Sequence, residues 1–151
     1  MRWTLWSGQK GVVSHESALD VHELGDVNPA SVHLSVPRGF RAKAEGVVLH
    51  RASVEPREKQ EHSGFWVTTP LRSLIDIASG PLDLDQLATA TAEALRRGLV
   101  SARRLRERAD AANDRTGLRI ERVLAMVEAD TRLNPPTPEP ARGQAAARPR
   151  R

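Results

Sequence analysis

Phe65-Trp66-Val67-Thr68-Thr69-Pro70-Leu71-Arg72-Ser73-Leu74-Ile75-Asp76-Ile77-Ala78 changes periodicity in its middle, and that change decides the fold. Phe65 to Thr68 reads as a strand entered through a Ser63-Gly64 turn, with one of Phe65 and Trp66 in the core and the other outside. Thr69 reads as a helix cap, and Pro70 takes the first helical position, where its missing N–H costs nothing. Leu71, Leu74, Ile75 and Ala78 then recur at i, i+3, i+4 and i+7, the apolar stripe of a helix. A strand running straight into an amphipathic helix calls for a sheet with a helix laid on it.

Toward the N-terminus the same alternation recurs. Gly11-Val12-Val13 is a short strand, and Ser14 reads as the N-cap of a helix from His15 to about Leu24, with Glu16 favouring its dipole. Gly25 is expected at the C′ position, and Asn28-Pro29 forbids continuation. Val32-His33-Leu34-Ser35-Val36 alternates with period two, which turns Val32, Leu34 and Val36 inward and His33 and Ser35 away. Pro37 ends that strand and Arg38-Gly39 begins a turn. Gly46-Val47-Val48-Leu49-His50 is apolar on both faces and is expected to be a central strand. Glu55 to His62 is charged and reads as an exposed connection.

From Asp83 onward the pattern is helical. Leu84, Leu87, Thr91, Ala94 and Leu95 form one stripe closed by Gly98. Ser101 caps a second helix to about Ala112. Thr116 to Ala129 gives a third, with Ile120, Val123, Leu124 and Val127 buried. The expectation is an α+β domain over residues 1–133: a small mixed β-sheet flanked by helices (about 8–80), then a helical C-terminal segment (about 83–130). Residues 134–151 hold five of the ten prolines and almost no core-forming side chain, and read as a disordered tail.

Composition narrows the function. The 151-residue chain has no cysteine, which removes disulfides, thiol nucleophiles and cysteine-ligated metals. No apolar run is long enough for a bilayer span or a signal peptide, so a cytoplasmic protein with no membrane partner is expected. The net charge of +4 sits mostly in the tail, which carries four arginines and one acid and leaves residues 1–133 with 19 bases and 18 acids. DNA binding is therefore expected to be weak and nonspecific at most.

Chemistry-bearing motifs are sparse. His15 and His22 lie seven apart on one expected helix, His33 and His50 fall on strands, and Asp20 and Asp76 stand available. No His-x-x-x-His pair or His-Glu-x-x-His run accompanies them, so structural histidines are the first reading and a metal or acid–base site the lesser alternative. A magnesium nuclease would need an acid-x-Lys pair on a strand, and Glu58-Lys59 reads as connection. Neither a Gly-x-Ser-x-Gly elbow nor a phosphate loop occurs. Arg97, Arg104 and Arg108 could line one helical surface, either as a solvated face paired with Glu93, Glu107 and Asp110 or as a landing site for an acidic partner or RNA. Arg38 and Arg41 offer a smaller site of that kind, and Trp3 and Trp6 would share a helix face able to mark an interface.

The motifs occur in a distinctive order. Ser14-His15-Glu16-Ser17-Ala18-Leu19, His22-Glu23-Leu24, Val32-His33-Leu34-Ser35-Val36-Pro37-Arg38, Gly46-Val47-Val48-Leu49-His50-Arg51 and Val67-Thr68-Thr69-Pro70-Leu71-Arg72-Ser73-Leu74-Ile75-Asp76 together resemble the effector domain of AbiEi-type antitoxins of abortive-infection systems. The resemblance covers about residues 8–80, and residues 83–130 by pattern alone. Its motif positions here are Ser14, His15, Ser17, His22, His33, Pro37, Arg38, His50, Arg51, Thr69, Pro70 and Asp76. It implies a non-enzymatic protein that neutralises a cognate nucleotidyltransferase-like toxin, with no cofactor, no metal and no small-molecule substrate. The family's N-terminal winged helix-turn-helix finds no room before Trp3, so an effector domain without its DNA-binding half is expected. The alternatives are a transcriptional-regulator fragment, a nucleic-acid-binding module using the arginine-rich helices and tail, and last a metal-dependent hydrolase.

Overall fold

The computed structural model describes residues 10–138. Within them the chain forms a five-stranded mixed sheet and five α-helices, an α+β fold. The strands are β1 (Val12–Val13), β2 (Val32–Val36), β3 (Val47–Arg51), β4 (Lys59–His62) and β5 (Phe65–Thr68), in the spatial order β3-β2-β1-β5-β4. β1 runs antiparallel to β2 and parallel to β5. β2 and β3 are parallel, and β4 and β5 form an antiparallel hairpin. The helices are α1 (His15–Val21), α2 (Pro70–Ala78), α3 (Leu84–Arg96), α4 (Ala102–Ala112) and α5 (Asp114–Leu133). Among the described residues no helix is long and apolar enough to cross a membrane.

The caps explain why the helices start where they do. Thr69 accepts from the Arg72 N–H and Ser101 from the Arg104 N–H, as their sequence positions predict. Asp83 accepts from the Asp85 N–H. Asn113 accepts from the Thr116 N–H and starts α5 two residues earlier than its apolar stripe suggests. That helix runs on to Leu133, past the expected end near Ala129, and stops before Asn134-Pro135. Residues 134–138 are exposed and carry no regular secondary structure, while the rest of the expected tail, 139–151, lies outside the described residues.

Several expectations are corrected. β3 is an edge strand, because the two residues of β1 take the centre of the sheet. Its apolar run reflects Val47 and Leu49 joining the sheet core, while Val48 stays 38% exposed. Glu55 to His62 is not a bare connection: Pro56–Glu58 is a 3-10 turn and Lys59–His62 is β4, the opposite edge. Charged residues guard an edge against pairing, so such a strand reads as a loop. α1 ends at Val21, and the left-handed residue closing it is Glu23, with φ 55, while Leu24 N–H returns to the Leu19 carbonyl. Gly25, with φ 69, serves the following turn, where a Cβ would stand 3.2 Å from that of Ala90. Ser35 does not face solvent; at 2% exposure it is covered on the second face of the sheet.

Two apolar clusters hold these elements. One gathers Leu19, Leu24, Leu74, Ile77, Leu87, Leu105, Ile120 and Val123 between the helices. The other gathers Val13, Ala18, Leu34, Val36, Phe65 and Val67 at the sheet. Phe65 is the inward member of its pair and Trp66 the outward one, with Lys59 Nζ 4.9 Å from the Trp66 ring centre. Each large side chain buried this way is worth about 1.5–3 kcal/mol of transfer free energy.

Glu23 is exposed and holds a backbone conformation that only glycine adopts without strain. Glu23→Gly is expected to stabilise the fold by about 1 kcal/mol, a rise of about 2–4 °C in Tm. An unchanged or lower Tm in thermal denaturation would refute that account of the turn.

Candidate functional site

The parallel register of β2 and β3 sets His33 against Val48 and Ser35 against His50, so the two histidines are diagonal neighbours on one face. His33 Nδ1 lies 2.9 Å from His50 Nε2, and His33 Nε2 lies 2.8 Å from a Glu16 carboxylate oxygen. A His33 ring with a proton on Nε2 toward Glu16 and none on Nδ1 would accept there from the His50 Nε2–H. The His15 ring lies flat on His50 with 3.6 Å between centres, completing a three-ring stack. His15 has φ 53, a strained value for a side chain of its size, and it sits where the chain turns from β1 into α1. Ser14 stands at the N-cap position but makes no cap hydrogen bond. Its Oγ instead lies 2.9 Å from His15 Nδ1 and accepts from the Ser35 hydroxyl at 2.8 Å. Ser17 Oγ accepts the His33 backbone N–H.

Burial first, then the neighbouring His33 and Arg72 charges, pull the pKa of His15 down to about 4. Burial and the other two rings do the same to His50, with Asp76 opposing. Beyond the rings a cleft of about 430 Å³ is lined by Val48, Asp76, Ser79 and Leu82. Asp76 Oδ2 is buried there with no hydrogen-bond partner. Burial raises the Asp76 carboxyl above the ordinary range against the pull of Arg72.

Asp76 joins the stack to a second feature. Arg72, one helical turn earlier and 8% exposed, donates to Asp76 at 2.8 Å, to the Ser53 carbonyl at 3.1 Å and to Glu58. Glu58 also accepts two hydrogen bonds from Arg108 of α4, at 2.8 and 3.1 Å. Burial would raise the Glu58 carboxyl, but Arg108 and Arg72 outweigh it and hold it below its usual value. Asp76 and Glu58 likewise outweigh burial at Arg72 and keep it charged. The far side of this network opens into a cleft of about 320 Å³ lined by Arg57, Arg72, Arg104 and Arg108 against Glu58 and Glu107.

The structure thus brings together Ser14, His15, Ser17, His33, His50 and Asp76, with Thr69 and Pro70 starting the helix that carries Asp76. His22 does not share a site with His15. It lies past the end of α1, its Nε2 2.7 Å from the Thr68 carbonyl, and burial lowers its pKa. Asp20 is exposed on α1. Pro37, Arg38 and Arg41 are exposed after β2, and Arg51 is exposed at the end of β3. Of the three arginines expected on one surface, Arg104 and Arg108 share the cleft. Arg97 does not; it donates to the His22 and Glu23 carbonyls and holds the end of α1. Two of the three acids expected to pair with them have other partners: Glu93 accepts the Gly25 N–H and Glu107 pairs with Arg103. Trp3 and Trp6 lie outside the described residues. Sequence reasoning missed Arg72 and Glu58. The one signal for Arg72 was its i, i+4 spacing to Asp76. Lys59, read as connection, opens β4.

Among the described residues no three histidine or acidic side chains converge as metal ligands. No protein-family model matches the chain, and no curated protein matches it.

The histidine stack gives a directional pH dependence. An unfolded chain binds protons at His15 and His50 near pH 6.5, whereas the folded chain refuses them until about pH 4. The unfolded state therefore gains protons first, and stability falls as pH drops from 6.5 to 4. His50→Phe keeps an aromatic ring and removes one titrating group, so urea denaturation across that window should show a shallower slope. A slope unchanged from wild type would contradict the assignment.

Proposed function

We propose that the chain is an antitoxin-like, non-enzymatic protein-binding module that neutralises a nucleotidyltransferase-type toxin in the cytoplasm, as the effector domain of an AbiEi-type antitoxin does. The resemblance supports the identity of the partner, and one observation supports binding as the activity. Of the residues that carry the resemblance, Ser14, His15, Glu16, Ser17, His33, Ser35 and His50 spend polar groups on one another, and Asp76 beside them leads through Arg72 to an open cleft with four arginines and two glutamates. Ser14, Ser17 and Ser73 each have a hydroxyl committed to a neighbour, which suits support more than nucleophilic attack.

The cleft's excess of arginine suits an acidic face of the toxin. Arg108 is pinned by Glu58, so it presents its charge at a fixed position and loses little freedom on binding. Arg104 is exposed, and its guanidinium forms no ion pair among the described residues. Charge of this kind acts mainly on the rate of encounter. The cysteine-free composition is compatible with the reducing cytoplasm.

Co-purification with a nucleotidyltransferase-like toxin encoded beside the gene tests the reading. Arg104→Glu should leave Tm unchanged and lower the association rate about tenfold at low salt, with the difference shrinking as salt rises. No complex with such a toxin, or a sequence-specific DNA footprint surviving 200 mM salt, would overturn it in favour of a nucleic-acid module.

A further inference from the structure

The apolar face of the sheet is buried at an end that the described helices do not cover. The register of β1, carried back one residue from Val12, sets Gly11 between Val36 of β2 and Phe65 of β5, in one row across three strands. Val36 is 1% exposed and Phe65 6%, and Gly11 between them is buried and offers no side chain. The same register puts His33, Ser14 and Thr68 in a row three residues further on. α1 crosses the sheet there: Ser17 Oγ accepts the His33 N–H, and His22 Nε2 lies 2.7 Å from the Thr68 carbonyl. Three residues of strand span about 10 Å, so α1 covers the far end of this face. The helices α2 to α5 give no side chain to this cluster. Apart from the strands, the described apolar side chains on it are Ala18 and Val21 of α1 and Phe40 of the turn after β2. His62 meets the Phe65 ring edge-on but is itself exposed. One phenylalanine does not close a row three strands wide.

Two stretches of the chain lie outside the described residues. Residues 139–151 carry alanine and proline but no large apolar side chain, whereas residues 1–9 hold Trp3, Leu5 and Trp6. Residues 1–9 also meet the sheet at this row, since they join it through Lys10, the neighbour of Gly11. Nine residues reach about 13 Å as a helix and about 30 Å extended, and three strands span about 10 Å. We propose that residues 1–9 dock on this end of the sheet, with Trp3 and Trp6 sealing Val36, Gly11 and Phe65 beside Phe40. The two tryptophans then belong to the core of this chain and are not the interface that their spacing suggests. The docking rests on the burial of the sheet alone, so it stands whether or not the toxin reading does.

Trp66 is 39% exposed, and Trp66→Phe in the full chain leaves Trp3 and Trp6 as its only indoles. The folded variant should emit to the blue of free tryptophan and resist quenching by iodide at every protein concentration, and urea should abolish both properties. Nuclear Overhauser contacts should join the two indole rings to the Val36 methyls and the Phe65 ring. Trp3→Ala and Trp6→Ala should each lower Tm by about 10 °C, the loss expected for truncating a buried tryptophan. Where either alanine variant fails to fold, the emission and ring contacts of Trp66→Phe decide the question. Indoles quenched as readily as free tryptophan in the folded chain, ring contacts that avoid Val36 and Phe65, or alanine variants with the wild-type Tm overturn the proposal. So does blue emission that appears only as concentration rises, since a second copy would then supply the cover.

Discussion

A buried guanidinium holds this molecule in register. Arg72 sits on the first turns of α2, yet its side chain reaches the loop after β3 through the Ser53 carbonyl and the turn before β4 through Glu58. Asp76, on its own helix, fixes the direction in which it reaches. A cation taken out of water this far is tolerated only while its partners are in place, and removing one partner of such a pair typically costs about 3–5 kcal/mol. Glu58 extends the constraint to Arg108 on α4, so one set of charges spans the sheet edge, the helix beneath it and the C-terminal helices. Apolar packing supplies most of the stability, but it does not specify where one helix stops sliding on another. Directional charge pairs do.

The two apolar clusters meet along α1, which gives Ala18 to one and Leu19 to the other, and polar groups fix the end of α2. Arg119 of α5 donates to the Ala78, Gly80 and Leu82 carbonyls and caps the end of α2 from another helix. Ser79 meets Thr116 at 2.9 Å nearby. The histidine stack borders the same end of that helix, across the cleft lined by Asp76, Ser79 and Leu82, and there His15 accepts backbone strain to lie on His50. Strain of this kind persists only where the surroundings over-determine it. Ser14, Ser35, Glu16 and His33 do so here.

Much of the architecture was legible from periodicity. Leu74, Ile75, Leu87, Ala94, Ile120 and Val123 are buried where their spacing puts them, and Thr69, Pro70, Ser101 and Gly98 mark boundaries by chemistry that is local to the chain. What was hidden depends on register and on long-range cover. His33 and His50 become partners only because β2 and β3 are parallel in one alignment, whereas helical spacing joins His15 to the wrong histidine. Arg72 and Asp76 look like a surface pair at i, i+4, and only the segments folded over them make the pair internal. Glu58 sits in a stretch so polar that nothing in its neighbours announces a hub. Strand β4 escaped for the same reason. The centre of the sheet escaped because two valines are too few to show a period.

Those two valines have a mechanical consequence. β1 is the sole seam between a β2–β3 half and a β4–β5 half, and each half is made of contacts closer in sequence than the seam is. Loop-closure entropy favours the near contacts, so the halves form before the seam can close. Force applied along β1 would meet the pairing of Val12 and Val13, with the Ser14 N–H bond to the His33 carbonyl beside it, before the sheet parted into two hairpin-sized pieces. The sheet is thus a zip with a two-tooth closure, placed next to the turn that delivers His15 to its stack, so that drawing the seam shut and assembling the polar cluster are one event.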